Sequence, residues 1–426
     1  MQLNRKSLLL VFLIYGLILF ALAARNGEML LLVIPLLAYL IVGLAQAPTS
    51  MRLKATRTLD KISALAHEPI EVQISVENQG NGLSFLSVLD NVLPLMEKLD
   101  GETETQFALP TGIRKTFGYR FRAPRSIFIW EDVFVRASDP LGLFEVGTHI
   151  PAQGEVLVRP TSMPLRPLTL KPSATLHTAG PIPARLAGAG TDFWGVREFR
   201  PGDSFRWINW RLTNRHPNKM FTNEYEREEM ADYGFILDAR RLTDPSALEE
   251  EIFEVSVSAI AALSDIFLRT GNRVSLLALG KPILQVFPGS GKAHLNSLLV
   301  NLSHANLGGN IRFRNLDYFP TRLFPNRSLL LVFSLVGPRD LKAYSRMKAY
   351  GYDVLLVSPN LAAHAAQSAG DTAPHSPAYR AARIERTLHL KDIQKLGIQV
   401  IDWHIDQPLE PAVRKAARAM HHRRNT

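Results

Sequence analysis

Two long uncharged runs near the start of the chain constrain its fold more than any other feature. Residues 7–24, SLLLVFLIYGLILFALAA, and residues 29–45, MLLLVIPLLAYLIVGLA, are separated by the tetrapeptide RNGE. Each run approaches the roughly 20 apolar residues that a helix needs to cross a bilayer. Pro35 lies inside the second run, where membrane helices tolerate proline. The pattern predicts a transmembrane helical hairpin over residues 1–50, with a signal peptide as the alternative for the first run.

Basic residues flank both ends of this predicted hairpin. Arg5 and Lys6 precede the first run, and Arg52, Lys54, Arg57 and Lys61 follow the second. The connecting loop carries one arginine and one glutamate. By the positive-inside rule we expect a two-pass protein of the bacterial inner membrane whose soluble domains are cytoplasmic. The net charge of +10 fits attraction to anionic headgroups, and the absence of cysteine excludes disulfides and thiolate zinc sites.

Residues 51–160 show the alternation of half-buried strands. Ile70, Val72, Ile74 and Val76 share one face of a strand. The segments TFGYRFRAP and IFIWEDVFVRASDPLGLFEV repeat the pattern with aromatic and β-branched residues. We therefore predict an all-β, immunoglobulin-like sandwich of about seven strands. A linker rich in proline and glycine is expected over residues 161–190.

Short apolar strands alternate with helical patterns in the last part of the chain. The strands YGFILDA, RVSLLAL, SLLLVFSL, DVLLVS and IQVID are separated by segments with helical periodicity. The longest such segment runs from Leu248 to Ile266. Residues 191–426 are therefore expected to contain a doubly wound α/β domain with a mostly parallel sheet.

Two segments have residue patterns that resemble sites for chemistry. PGSGKAH lacks both the leading glycine and the following hydroxyl of a phosphate loop, so a turn before a helix is favoured. Asp402, His404 and Asp406 alternate and could ligate a metal, but a solvated rim is the more common outcome. No nucleophile is paired with a recognisable base. We expect no catalytic residue, no cofactor and no small-molecule substrate.

The segment REFRPGDSFRWINWRLTNRH, residues 197–216, is dense in arginine and tryptophan. Asp203 is a good N-cap, so a helix from Ser204 to about Asn214 is predicted. Nucleic-acid binding is the alternative that arginines and aromatic side chains suggest. Nearby acidic residues, including Glu224 and Glu226, favour internal ion pairs instead. We expect a structural brace whose tryptophans pack on the following domain.

The same segment, extended to the strand that ends at Asp238, resembles the domain-of-unknown-function family 58. The pattern is a glycine-rich lead, an Arg-x-Tyr-x-x-Gly-Asp element, an Arg-x-Ile-Asp-Trp element, an arginine, a Glu-x-Glu segment and a strand ending in aspartate. The matching residues are Arg197, Phe199, Gly202, Asp203, Arg206, Ile208, Trp210, Arg215, Glu224, Glu226 and Asp238. Phe199 stands where tyrosine is usual, and Asn209 where aspartate is usual.

The resemblance implies an α/β part similar to von Willebrand factor A domains. Their metal site uses Asp-x-Ser-x-Ser, because hydroxyls and a carboxylate suit a hard cation. This chain has Asp238, Ala239, Arg240, Arg241 and Leu242 in that place. Both serines are missing, so Asp238 is expected to be a remnant of a metal site, paired with Arg240 or Arg241, and no metal is expected.

The resemblance also implies a partner, an AAA+ ATPase of the MoxR type. We therefore expect a membrane-anchored, non-enzymatic scaffold or accessory factor that binds protein and assists assembly or maturation of other proteins. A metal-dependent adhesion-type binding protein is one alternative. A hydrolase acting on the cell envelope is a weaker one, since no catalytic residues are evident.

Overall fold

The computed structural model describes most of the chain and divides it into two compact units. The described residues are 2–3, 5–48, 51–168, 170, 182–216, 218–241, 247–308, 320–326, 328–337, 340–368 and 377–422. The units are Met1–Arg159 and Pro160–Thr426. Each unit has its own apolar core.

Apolar helices open the first unit. The elements are β1 (Gln2–Leu3), α1 (Arg5–Ala23), α2 (Glu28–Leu31) and α3 (Val33–Ala45). Two 18-residue windows in these helices have a mean hydropathy of 2.4, so by length and composition both could span a membrane. The two expected apolar helices are therefore present, whereas their insertion and orientation remain a prediction.

A short break separates α2 from α3 at Leu32. Pro35, in the first turn of α3, has no N–H to donate to the carbonyl of Leu31. Because that hydrogen bond of a continuous helix cannot form, the second apolar run is divided into two helices.

Strands fill the rest of the first unit. They are β2 (Leu53–Leu59), β3 (Ser63–Leu65), β4 (Ile70–Asn78), β5 (Leu83–Leu89), β6 (Glu97–Gly101), β7 (Glu104–Leu109), β8 (Arg114–Arg122), β9 (Ser126–Ser138) and β10 (Phe144–Arg159). One sheet has the order β2-β4-β8-β6, with antiparallel pairs. The other has the order β1-β10-β9-β5-β7, and β3 pairs parallel to β10. The expected β-rich body is thus confirmed.

The two sheets contribute to one apolar core. Ile70, Val72, Ile74 and Val76 of β4 are fully buried, and the residues between them are not. The predicted alternation of this strand is therefore confirmed. Facing residues such as Val135 of β9 belong to the same cluster.

A buried ion pair interrupts this apolar core. Arg57 of β2 pairs with Asp90, and both side chains have no exposed surface. Tyr119 donates its hydroxyl hydrogen to Asp90 over 2.8 Å. Burial raises the pKa of Asp90, and Arg57 opposes that change. Arg57 is therefore unavailable to lipid headgroups, unlike the exposed Arg52.

The second unit begins as a two-stranded ribbon and continues as an α/β domain. Its elements are β11 (Ile182–Glu198), a 3-10 helix (Phe205–Trp207), α4 (Trp210–Thr213), β12 (Phe221–Glu229), β13 (Asp232–Asp238), α5 (Ala247–Arg269), β14 (Arg273–Leu279), β15 (Ile283–Gly289), α6 (Gly291–His304), β16 (Leu329–Phe333), α7 (Leu341–Ala349), β17 (Asp353–Pro359), α8 (Leu361–Ser368), α9 (Pro377–Lys395), β18 (Gln399–Trp403) and α10 (Leu409–His422). Strand β11 starts inside the stretch 161–190, of which residues 169 and 171–181 lie outside the described residues.

The large sheet of this unit has the order β15-β14-β13-β16-β17-β18. Its pairs are parallel, apart from β14 with β15. The mostly parallel sheet that the alternating pattern predicts is therefore confirmed. Alternate residues of β13 enter two different cores, Phe235 with Phe253 of α5, and Ile236 with Tyr344 of α7. Helices thus cover both faces of the sheet.

Candidate functional site

The candidate site lies at the carboxyl end of β13, where the order of the sheet changes direction. After β13 the chain adds β14 on one side, and β16 later adds on the other. Asp238 is the last residue of β13, and Ser334 directly follows β16. The loops diverge at such a switch point, and ligands of open α/β sheets commonly bind in the resulting crevice.

The guanidinium of Arg240 lies between two carboxylates at this edge of the sheet. Its Nε and Nη2 atoms each donate to Asp238 over 2.7 Å. Its Nη1 and Nη2 atoms donate to Asp340 over 3.0 and 2.9 Å. The side chain of Arg240 is 6% exposed and those of both aspartates are 2% exposed. Arg240 is therefore a fixed internal cation that joins the loop after β13 to the start of α7.

Further hydrogen bonds orient the two carboxylates. Ser334 donates its hydroxyl hydrogen to Oδ2 of Asp238 over 2.6 Å. The backbone N–H of Gly337 donates to Oδ2 of Asp340 over 2.8 Å. Each carboxylate therefore has a second donor besides Arg240, as buried acceptors generally require.

Two groups of this cluster, Arg240 and Tyr344, keep one ionisation state at neutral pH. Burial lowers the pKa of Arg240, but hydrogen bonds with Asp238 and Asp340 outweigh it and hold the pKa above its ordinary value. Burial raises the pKa of Tyr344, and the two aspartates raise it further. A general acid or base works best with a pKa near the working pH, and these two groups are shifted away from it.

A small recess lies beside this cluster. Its lining comprises Asp238, Arg240, Glu249, Ile252, Phe253, Ser256, Leu307, Phe333, Ser334, Leu335 and Pro359. Its free volume is about 20 Å³, which is enough for a water molecule. Pockets for metabolites are larger, about 300 Å³ or more. In the part of the chain that the structure describes, the recess is too small for an organic substrate.

The expected pairing of Asp238 with Arg240 is confirmed, and Arg241 instead pairs with Glu250 over 3.0 Å. Sequence reasoning missed Asp340 and Ser334. The signal for Asp340 was its place just before α7, which resembles an N-cap, although its carboxylate binds Arg240 rather than capping the helix. For Ser334, the sequence contains no indication of a role at the site beyond its position directly after a strand.

The signature segment forms a second polar cluster on the ribbon. Arg197 of β11 donates to Asp203 over 2.7 and 2.8 Å and to Glu224 of β12 over 2.7 Å. Asp203 also accepts the backbone N–H of Arg200 over 2.8 Å. The hydrogen bonds from Arg197 and from this N–H lower the pKa of Asp203 to about 2. The expected internal ion pairs are confirmed for Arg197.

The helix predicted after Asp203 is wrong in extent and in its cap. A 3-10 helix (Phe205–Trp207) and the separate α4 take its place. The carboxylate of Asp203 binds Arg197, so it does not cap a helix. Asn209 caps α4 instead, accepting the N–H of Leu212 over 3.0 Å.

The remaining signature residues have varied surroundings. Phe199 stacks on Phe205 with ring centroids 5.7 Å apart, and Gly202 has a φ of 105°, which favours glycine. Arg206 and Arg215 are exposed, and Trp210 is 62% exposed. The expectation that Trp210 packs on the following domain is therefore wrong. The side chain of Glu226 lies outside the described residues.

The other candidate segments do not form sites with several ligands. Asp402 pairs with Arg386 over 2.8 Å, and His404 and Asp406 lie beyond the end of β18. Within the described ranges, no group of three or more His, Asp or Glu side chains could hold a metal ion. Gly291 begins α6, as expected for a turn before a helix.

A family model supports the resemblance that the signature segment indicates. Residues 195–360 match the family model described as "Protein of unknown function DUF58". The signature segment and most of the α/β domain therefore match this family. The match includes all eleven residues from Arg197 to Asp238 on which the resemblance rests. The matched region also includes Arg240, Ser334 and Asp340, so it contains the cluster at the carboxyl end of β13.

A distant relative adds no information on function. The "Uncharacterized protein YeaD" of Bacillus subtilis (strain 168) is 24% identical over 259 residues. That alignment covers 59% of this chain and 62% of YeaD, so the chain spans less than two thirds of its relative.

Two solved structures also show partial likeness. The FixG-related protein from Vibrio parahaemolyticus has 10% identity and a TM-score of 0.18, covering 25% of this chain and 95% of that chain. The VesB protease of Vibrio cholerae has 9% identity and a TM-score of 0.16, covering 24% and 32%. At these TM-scores neither structure informs the fold or the activity.

Proposed function

We propose that the protein is a membrane-anchored, non-enzymatic scaffold or accessory factor that binds other proteins. We further propose that it works with a MoxR-type AAA+ ATPase in the assembly or maturation of those proteins. The observation that carries the proposal is the position of Arg240 between Asp238 and Asp340. The crevice in which α/β proteins usually bind a ligand already contains a cation from the chain itself.

The same cluster argues against hydrolysis. Ser334 donates to Asp238, which has the outward form of a nucleophile beside a base. However, both oxygens of that carboxylate already accept hydrogen bonds from Arg240, so the carboxylate is engaged by a cation rather than free to act as a base. The recess is also too small for an organic substrate. A protein surface is therefore the better candidate for the ligand.

The sheet order supports a von Willebrand factor A-like α/β domain as part of this proposal. In chain order the strands are third, second, first, fourth, fifth and sixth across the sheet, with the third antiparallel. In such a domain, Asp238 would be the remnant of a metal site and Arg240 its substitute for the cation. Binding of partners would then need no metal.

We also propose that the first unit is an immunoglobulin-like sandwich on a two-pass anchor. Its order β2-β4-β8-β6 and the adjacency of β5, β9 and β10 match the constant-type arrangement if β1, β3 and β7 are additions. Basic flanks support a bacterial inner-membrane protein with both units in the cytoplasm.

A metal-dependent adhesion-type protein is the second candidate, and one observation favours it. Asp238, Ser334 and Asp340 bring two carboxylates and a hydroxyl to one place, and hard cations prefer oxygen ligands. Arg240 would have to leave before a cation could enter. An envelope-related hydrolase is a weaker candidate, for the reasons given above.

The proposal is tested with the detergent-purified full chain and the purified MoxR-type ATPase of the same organism. We expect a stable complex in size-exclusion chromatography with light scattering, in at least one of the ATP, ADP or nucleotide-free states. The complex of the full chain with the ATPase should persist when EDTA removes divalent cations. Failure to form a complex in every nucleotide state contradicts the partnership. Formation that requires Mg²⁺ at Asp238, and is lost in Asp238→Ala, favours the adhesion-type candidate instead.

A further inference from the structure

A small lobe of the second unit combines exposed aromatic rings with arginines. We call residues 199–216 and 218–220, which connect β11 to β12, the arginine lobe. Phe205 is 72% exposed and Trp210 is 62% exposed. Aromatic side chains and arginine are residue types enriched at interfaces relative to the rest of a protein surface.

Three arginines of this lobe have no carboxylate partner in the part of the chain that the structure describes. Arg206, Arg211 and Arg215 are exposed, whereas Lys219 of the lobe and the neighbouring Arg197 form ion pairs. The signature segment therefore neutralises one set of cations internally and leaves another set facing solvent.

Two of these cations are close neighbours. The N–H of Asn214 donates to the carbonyl of Trp210 over 3.0 Å, so the helical turn that starts in α4 continues past its end. Arg211 and Arg215, four residues apart, are then placed one turn apart on one surface. Like charges at this spacing repel each other in the free protein. An external anionic surface would relieve that repulsion.

We propose that the arginine lobe binds the anionic headgroup layer of a lipid bilayer. Aromatic rings with a polar edge, such as that of Trp210, settle at the headgroup level of membranes. Exposed arginines gain a modest attraction each from anionic lipid. The lobe thus supplies a second membrane contact, distinct from the apolar helices.

A lipid surface is favoured over a free macromolecular partner because of the two apolar helices. If α1 and α3 hold the chain at a bilayer, the lobe meets headgroups at a high effective concentration. Three weak cationic contacts then suffice, whereas a soluble acidic protein or nucleic acid must also offset the full entropy of association. This inference does not depend on the ATPase partnership or on the absence of a metal.

The test uses the full chain in nanodiscs of phosphatidylcholine alone, or of phosphatidylcholine and phosphatidylglycerol at about 7:3. Fluorescence of the wild type is compared with that of Trp210→Phe, so that the difference reports Trp210. We expect the Trp210 emission to shift to the blue and to be quenched by brominated lipid in the phosphatidylglycerol discs alone. Raising salt from about 0.1 to about 1 M shortens the Debye length from about 10 to about 3 Å and should reverse most of the quenching.

Charge variants separate the lobe from general electrostatics. R211E/R215E should abolish the quenching, and R211K/R215K, which keeps both positive charges, should retain it. R380E/R383E, which reverses two exposed arginines of α9, changes the net charge equally and should leave the quenching unchanged.

The inference is overturned if phosphatidylglycerol causes no quenching, or if both charge-reversal variants lose it equally. It is also overturned if Trp210 responds to a single-stranded DNA oligonucleotide but not to phosphatidylglycerol.

Discussion

The guanidinium of Arg240 holds the carboxylate of Asp340 with two hydrogen bonds of 3.0 and 2.9 Å, across a separation of one hundred residues. The same guanidinium holds Asp238 at the end of β13. Two loops that leave neighbouring parallel strands are thereby joined through one buried cation. Such a link fixes the carboxyl edge of the sheet in one arrangement.

Replacing Arg240 by methionine should destabilise the second unit strongly. The substitution leaves two nearly buried carboxylates without their cation, and breaking a buried ion pair in this way typically costs about 3–5 kcal/mol. Urea unfolding followed by tryptophan fluorescence would measure the change in the free energy of unfolding.

Arg269→Met is the matched control. Arg269 is 78% exposed and pairs with Asp265 one turn away, so its removal should cost no more than about 0.5 kcal/mol. Equal, small effects of the two substitutions would show that the Arg240 contacts contribute little to stability.

The wild-type chain should not bind Mg²⁺ or Mn²⁺ at the switch point. A divalent cation placed between Asp238 and Asp340 would meet the fixed positive charge of Arg240 at close range. Calorimetric titration of the full chain should therefore give no saturable heat. Saturable binding that disappears in Asp238→Ala would contradict this expectation and revive the adhesion-type candidate.

Sequence pattern predicted the sheets because burial follows periodicity. The alternation at Ile70 to Val76 allows one placement of side chains relative to a core, and the short apolar run of β13 indicates a strand that is buried on both faces. Helix α10 was not predicted, although its residue Val413 enters the core. Leu409, Val413 and Ala416 recur at helical spacing, so periodicity could have predicted this helix, which packs beside the preceding strand β18.

The candidate site was predictable in part. Asp238 and Arg240 are two residues apart, so their pairing follows from local geometry. Asp340 joins them through the register of β13 with β16, which a single sequence does not reveal. The prediction of a helix after Asp203 was wrong for a related reason. The carboxylate of Asp203 pairs with Arg197 of the preceding strand β11, so it is not available to cap a helix.

The ion pair of Arg197 with Asp203 should make stability depend on acid pH. Asp203 has a pKa of about 2 in the folded chain, below the value of about 3.9 for an unfolded aspartate. A lowered pKa stabilises the fold above the unfolded value, and this contribution is lost as the pH falls through the folded value. The Tm of the wild type should therefore exceed that of Asp203→Asn at pH 7, and the difference should shrink between about pH 4 and about pH 2.

A double-mutant cycle isolates this pair. In an Arg197→Gln background, Asp203→Asn should change the Tm less, and with a weaker dependence on pH, since the cation is missing while the N–H of Arg200 still lowers the pKa. If the difference in Tm between the wild type and Asp203→Asn stayed constant down to about pH 2, the ionisation of Asp203 would not be its cause.

The orientation of the chain can be measured with single cysteines, because the natural sequence has none. Gly27, in the loop between α1 and α2, and Gly82, before β5, are matched positions for Gly→Cys. A Cβ at Gly27 meets no atom within 4 Å, and one at Gly82 meets its nearest neighbour at 3.8 Å. Both substitutions should therefore leave the fold unchanged.

A maleimide that cannot cross membranes should label Gly27→Cys in intact cells, because the positive flanks place that loop outside. Gly82→Cys should react only after the inner membrane is permeabilised, since the first unit follows the second basic flank. The reverse pattern would place both units outside the cytoplasm, where a cytoplasmic ATPase could not reach them. Labelling of both positions in intact cells would contradict a two-pass anchor, because α1 and α3 would then not return the chain to the inner face.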